Sequence, residues 1–326
     1  FFMTSRVFLQ PTSLINSSLL NTHTILAMSA KKYVIPTVVG LAAIGGFFFY
    51  NKTCKLDGVK KPCCHKSTAP GTAAFTGSNG WVELNLKNIE TLSHDTKKFT
   101  FDLPAKDQVS GLLTASLLLA KGNGVVRPYT PVSPTSVKGE IDFVIKKYPE
   151  SKFGTYIFDL QPNDKVSFKG PLQKWKLTPN QFKEVTLLGG GTGITPLFQI
   201  LQEIAQNPED KTKVNLFYGN KTFEDILLKQ QIDKLASERP DQIKVTYFLD
   251  DTTNADSASN YQKGYITGDF LKEKISKPSA DSHIFVCGPE PLYKALSGSK
   301  KSKLEQGEIT GALGELGYTN DHVFKF

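Results

Sequence analysis

Cysteine is scarce, with four in 326 residues, so a small fold stapled by disulfides is excluded. Histidine is nearly as scarce at five, and no His-Glu-x-x-His helix or serine triad pattern occurs. Glycine and proline number 26 and 18 without a period, which excludes a collagen-like chain. At 39% hydrophobic and 21% charged, the chain is not a disordered polyelectrolyte. Acidic residues are absent from the first 56 positions, where Arg6, Lys31, Lys32, Lys52 and Lys55 stand alone. Those five account for most of the net +8 and leave +3 for the remainder. An ordinary soluble surface remains, and a nucleic-acid function is excluded.

What is present begins with an address. Residues 1–30 are rich in Ser, Thr, Asn and Leu, basic and free of acid, as mitochondrial presequences are. The chain opens Phe1-Phe2-Met3, so Met3 and Met28 are both candidate starts. Residues 31–52 read as a transmembrane anchor. Tyr33 to Tyr50 carry no charge, and a helix of that length spans about 27 Å against a hydrocarbon core of about 30 Å. Lysines flank both ends, and the aromatic run Phe47 to Tyr50 suits an interface belt. Together these predict a single-pass protein of a mitochondrial membrane, the outer one. Residues 53–80 read as a flexible tether holding Cys54, Cys63, Cys64 and His65. Adjacent cysteines do not match zinc spacing, which leaves exposed thiols or palmitoylation.

The soluble part divides in two. Residues 81–170 hold short β-rich runs such as WVELNLKNI, KKFTFDL and EIDFVIKKY, separated by turn signals. They predict an antiparallel β-barrel, with one short helical turn near Gly154 to Leu160. Residues 171–182 read as a linker. Residues 183–326 alternate apolar strands (VTLL, VNLFYG, IKVTYFL, HIFVCG) with helical stretches at Ile194–Ala205, Phe223–Leu235 and Pro291–Leu296. That alternation predicts a parallel sheet covered on both faces.

Gly189 to Gly193 stand between a buried strand and a helix opening near Thr195-Pro196. Glycines admit a ligand close to the backbone, and a helix N-terminus presents free N–H groups to an anion. The loop is not a P-loop, since no Gly-Lys-Ser/Thr follows, nor a regular G-x-G-x-x-G. By itself it fits a phosphate-bearing ligand or a tight strand–helix turn.

Two more motifs stand in order around it: Arg127-Pro128-Tyr129-Thr130-Pro131 in the barrel and Cys287-Gly288-Pro289 at the end of the last long apolar run. With Ser93 to Thr96, Lys169-Gly170-Pro171, Gly190 to Pro196 and the terminal Phe326, they make the chain resemble the ferredoxin–NADP reductase superfamily. More narrowly, it resembles the membrane-anchored fungal mitochondrial NADH–cytochrome b5 reductases, over Trp81 to Phe326.

The resemblance implies an FAD-binding barrel, an NADH-binding α/β domain, and electrons passed singly to cytochrome b5. It places Arg127 at the FAD pyrophosphate, Pro128, Tyr129 and Thr130 along the flavin, and Val144, Lys146 and Tyr148 on the next flavin-contacting strand. Lys152, Phe153, Gly154 and Thr155 match a phosphate-binding segment in which Gly154 replaces the usual Ser. Gly190, Gly191, Thr192 and Gly193 would hold NADH phosphates. Thr195 and Cys287 would lie at the reacting rings, with Gly288, Pro289 and Phe326 beside them. Asp250 would accept the adenosine ribose hydroxyls and disfavour a 2′-phosphate. No metal is implied. Lys97, Lys98, Lys146, Lys147, Lys169, Lys174 and Lys176 are candidates for steering an acidic haem protein. Two alternatives stay open: another one-electron acceptor or quinone on the same fold, and a tethered scaffold without catalysis.

Overall fold

The structure, a computed structural model, describes residues 73–253, 261–302 and 304–326. The segments expected as presequence and anchor, and most of that expected as tether, lie outside these residues. Among the described residues, no helix is long and apolar enough to cross a membrane. Both described lobes belong to one compact unit.

The first lobe is antiparallel: β1 (Val82–Ser93), β2 (Thr96–Asp102), β3 (Ser116–Gly122), β4 (Val125–Tyr129), β5 (Glu140–Lys146) and β6 (Lys165–Gln173). They pair in the order β4-β3-β6-β1-β2-β5. Alternation sends Phe99 and Phe101 of β2, Ile141, Phe143 and Ile145 of β5, and Val166 and Phe168 of β6 into one core. Phe143 stacks on Phe168 at 4.9 Å although their strands are three places apart, so the sheet curls around its own interior. One helix, α1 (Lys152–Asp159), plugs this core with Phe153 and Ile157. It starts where Ser151 accepts the Gly154 N–H at 2.9 Å, an N-cap that satisfies one orphan donor.

β6 continues through Gln173, so the barrel strand extends into the segment expected as linker. From there Trp175, Leu177 and Phe182 pack on the second lobe's core.

The second lobe is a parallel sheet. Its strands are β7 (Glu184–Gly190), β8 (Lys213–Asn220), β9 (Ile243–Leu249), β10 (Tyr261–Lys263), β11 (Ser282–Cys287) and β12 (Val323–Lys325). They lie in the order β10-β9-β8-β7-β11-β12. Helices α2 (Ile194–Gln206), α3 (Lys229–Glu238), α4 (Gly268–Lys274), α5 (Glu290–Leu296) and α6 (Gly311–Glu315) complete it. The central strands are buried on both faces, as continuous apolar runs require. Strand succession runs outward from β7 through β8 to β10, while β11 and β12 lie on β7's other side. The crevice beyond the carboxyl ends of β7 and β11 is therefore the topological switch point, where open α/β sheets bind ligands.

The helix expected over Phe223–Leu235 is corrected: α3 starts at Lys229. Leu228 adopts a left-handed conformation (φ 59°). Asp225 meanwhile accepts from the Thr222 N–H and hydroxyl, both at 3.2 Å, holding residues 222–225 in a turn.

Candidate functional site

Three backbone segments converge at the switch point. β7 runs out through Gly189 and Gly190 into a short 3-10 turn, Gly191–Gly193, which leads straight into α2. Gly191 sits at φ +52°, and a β-carbon there would meet nothing within 4 Å, so this turn opens outward. Gly193 does the reverse and packs its backbone on the end of β11, against Cys287 and Gly288. From the neighbouring strand, the fully buried Tyr218 donates its hydroxyl to the Gly191 carbonyl at 2.9 Å and fixes the turn. No side chain caps the start of α2, so its positive end is left for an anion.

The first lobe meets this crevice along β4 and its exit. A cavity of about 150 Å³ lies between the lobes. Pro128, Thr130, Ser116 and Lys174 wall it on one side, and Pro196, Cys287 and Phe326 on the other. Ser116 lines the cavity and is 1% exposed, and its hydroxyl has no hydrogen-bond partner among the described residues. Buried polar groups are normally satisfied, so a ligand with a polar edge fits here. Arg127 is exposed, and its guanidinium donates to the Val126 carbonyl beside it (2.9 Å). Among the described residues no carboxylate pairs with it. Tyr129 rests on Phe153 at 5.2 Å, and burial pushes its phenol up to about 12. These are the features a flavin dinucleotide requires: a guanidinium for its diphosphate, an apolar wall and an unclaimed hydroxyl.

The other expected residues take definite places. Tyr148 is exposed and lies 3.2 Å from the Thr192 hydroxyl, joining the two lobes at the glycine turn. Lys152 is exposed at the start of α1. Gly154 donates its N–H to the Ser151 hydroxyl, and Thr155 is exposed on the next position of α1. Gly190 is packed against Pro289 and Leu292, and Gly288 against Gly190. Phe326 is held by its N–H on the Val286 carbonyl (3.0 Å) and by the Tyr293 hydroxyl on its own carbonyl (2.9 Å). Asp250 is exposed just past β9, two strands from β7 on the same carboxyl edge, with its N–H on the Asn220 carbonyl.

Four of the expected residues have side chains engaged within the protein. The Phe153 side chain is fully buried in the barrel core and offers a ligand only its backbone. Val144 is buried in the core that the barrel shares with the second lobe. Lys146 pairs with Asp95 at 2.9 Å and approaches Asp225 of the second lobe at 3.9 Å, so its charge is engaged. Its ammonium lies against the grouping of His94, Asp95 and Asp225 that could otherwise be mistaken for a metal site. Thr195 is buried and donates to the Thr192 carbonyl at 3.3 Å, while its neighbour Pro196 reaches the cavity.

Cys287 is a neutral thiol, because burial raises it to about 11. His283 is buried between Trp175 and Phe182, and desolvation lowers it to about 4, so it is structural. Several residues escaped the sequence reading: Ser116, Ser151, Gln199, Tyr218 and Lys300. Lys300 lies close enough to Lys174 and Cys287 that Lys174, after burial, lowers its ammonium. Of the steering candidates, Lys98 is paired with Glu90 and Lys97 lies over the Phe158 ring. Lys147 lies over that ring too. Lys169, Lys174 and Lys176 meet no carboxylate among the described residues.

An antiparallel lobe and a parallel lobe meeting at a cavity over a glycine turn define a pyridine-nucleotide-dependent flavin oxidoreductase. Family comparison agrees: the oxidoreductase FAD-binding domain matches residues 83–177 and the oxidoreductase NAD-binding domain matches 187–298. A protein named NADH-cytochrome b5 reductase 2 from Scheffersomyces stipitis is 47% identical, covering 92% of this chain and 97% of that one. Its namesake from Debaryomyces hansenii is 54% identical over the same shares. The crystal structure of the cytochrome b5 reductase domain of Ulva prolifera nitrate reductase is 26% identical with a TM-score of 0.66. That match covers 78% of this chain and all of the other. The chain belongs to the NADH–cytochrome b5 reductase family.

Proposed function

We propose that this chain is a membrane-anchored enzyme that carries electrons from NADH through FAD to cytochrome b5. The observation that carries this reading is the cavity walled by both lobes, with Pro128 and Thr130 facing Pro196 and Cys287. FAD, when bound, would supply the chemistry of accepting a hydride and passing electrons on singly.

The chain's own residues bind, orient and exclude. Arg127, unpaired with any carboxylate among the described residues, offers its planar fork to a diphosphate. Tyr129 keeps its proton at neutral pH and presents an aromatic face with a hydroxyl edge. The Gly191–Gly193 turn and the uncapped end of α2 receive the phosphates of NADH. Asp250 accepts ribose hydroxyls at the far end of the carboxyl edge and repels a 2′-phosphate, which favours NADH over NADPH. Cys287 is a wall and not a nucleophile, since its thiol stays protonated. Lys174 and Lys300 make the cavity's surroundings positive, which suits an acidic acceptor and quickens its encounter.

The charge-free run Tyr33–Tyr50 supports a single N-terminal membrane span, and the basic, acid-free residues 1–30 support delivery to a mitochondrial membrane, the outer one. The tether between would let the soluble lobes reach a partner on the same membrane.

The acceptor is tested with the full chain in detergent, by following reduction of purified cytochrome b5 on addition of NADH. A rapid reduction that slows with salt is expected. An FAD-loaded chain that NADH bleaches, but that reduces ferricyanide and not cytochrome b5, contradicts this acceptor.

A further inference from the structure

One side chain of the second lobe grips the first at two points. Gln199 lies on α2 one turn beyond Thr195 and Pro196 and is 6% exposed. Its amide nitrogen donates to the Pro131 carbonyl at 3.0 Å, and its amide oxygen accepts the Ser116 N–H at 3.2 Å. Pro131 directly follows Thr130, and Ser116 opens β3; Thr130 and Ser116 both wall the cavity. The helix whose first turn supplies Pro196 to the opposite wall is thereby tied to both backbone segments facing it. The two bonds demand a donor and an acceptor on one planar head, which a neutral amide supplies.

We propose that Gln199 is a positioning residue, which sets the spacing between the flavin-bearing wall and the NADH-bearing wall. The inference rests on the function assigned above. Reacting atoms must come within about 3–3.5 Å, and a misplacement of about 1 Å costs roughly 100-fold in rate. The same helix carries a comparison bond. One turn later, Glu203 accepts from the Thr114 hydroxyl at 3.0 Å, also across the lobe junction, and neither residue lines the cavity.

The test uses the full-length, FAD-loaded protein. In Gln199→Glu a carboxylate still accepts from Ser116 but repels the Pro131 carbonyl. Once protonated, it donates to Pro131 again. Burial, the facing carbonyl and Glu203 on the same seam raise the pKa of that introduced acid, and together they outweigh the Ser116 N–H, which lowers it. The expected result is bleaching by NADH slowed about 10- to 100-fold at pH 8 and recovering as the pH falls toward about 6. The visible circular dichroism of the bound flavin should follow the same pH course, while wild type shows neither change. Thr114→Val should melt earlier yet bleach at the wild-type rate. The proposal is overturned if Gln199→Glu and Gln199→Met bleach like wild type, or if Thr114→Val loses rate as they do. Wild-type bleaching in the same series upholds the functional reading separately from this inference.

Discussion

A β-carbon built on Gly193 would lie 2.2 Å from the carbonyl oxygen of Cys287 and 2.7 Å from the Gly288 nitrogen. Two loops that follow different strands, β7 and β11, therefore touch backbone to backbone, and only glycine allows it. The contact fixes the nucleotide turn beside the wall of the cavity. Neither neighbour is the end of a flexible side chain, so any larger residue must push the loops apart.

Gly193→Ala is expected to destabilise the protein by about 1–3 kcal/mol, as overpacking does. It should raise KM for NADH while leaving bound FAD in place, because the barrel supplies the FAD-holding residues. Thermal melting, steady-state kinetics and the flavin-to-protein absorbance ratio check this together. Normal NADH affinity with FAD lost would contradict the placement.

Arg127→Ala should weaken FAD binding about 10- to 100-fold, the usual worth of a charge-assisted hydrogen bond. Arg127→Lys should recover only part of it, since an ammonium cannot form the paired fork. Recovery of FAD fluorescence on dilution reads the dissociation constant. Little loss of stability is expected in the apoprotein, because among the described residues the Arg127 side chain bonds only its neighbour's carbonyl.

His283 gives the protein an acid-sensitive joint. Its folded pKa is lowered to about 4 from 6.5 by burial first and His322 second. The unfolded chain therefore binds a proton that the folded chain refuses between those values. Stability is full above about pH 6.5 and is lost as pH falls through that window, by about 3 kcal/mol at the bottom. His283→Phe, in a site already lined by Trp175, Phe182 and Phe285, should flatten this limb. Urea midpoints at pH 5 and pH 7 decide it: an unchanged difference between them would refute the assignment.

Cys287 should resist alkylation at neutral pH and react increasingly as the pH approaches about 11. Peptide mass spectrometry after iodoacetamide treatment distinguishes it from Cys54, Cys63 and Cys64. Cys287→Ser should retain most activity, as expected of a wall residue. Rapid labelling at pH 7 would show a thiolate and a different role.

Much of the fold was legible because local and global signals coincide. Ile243–Leu249 is a strand with the boundaries its apolar run suggested. The glycine turn stands where strand and helix patterns meet, and Arg127 and Cys287 sit in motifs dense enough to place. What could not be read depends on partners distant in sequence. Lys146 looks free until Asp95 of the β1–β2 turn and Asp225 of the other lobe are brought to it. Phe153 lies within a binding motif but is claimed by the barrel core. Ser116 and Gln199 occupy an ordinary strand and an ordinary helix, and only the meeting of the lobes gives them work. Leu228 broke the helix expected from Phe223 through a left-handed backbone that periodicity cannot reveal.

The visible spectrum of the purified full-length protein, titrated anaerobically with NADH and then with NADPH, decides whether this is an NADH-reduced flavoprotein. A yellow protein bleached by one equivalent of NADH and poorly by NADPH is expected, with a preference that relaxes in Asp250→Ala. A folded protein that stays colourless after incubation with FAD, or a yellow one indifferent to NADH, would contradict it.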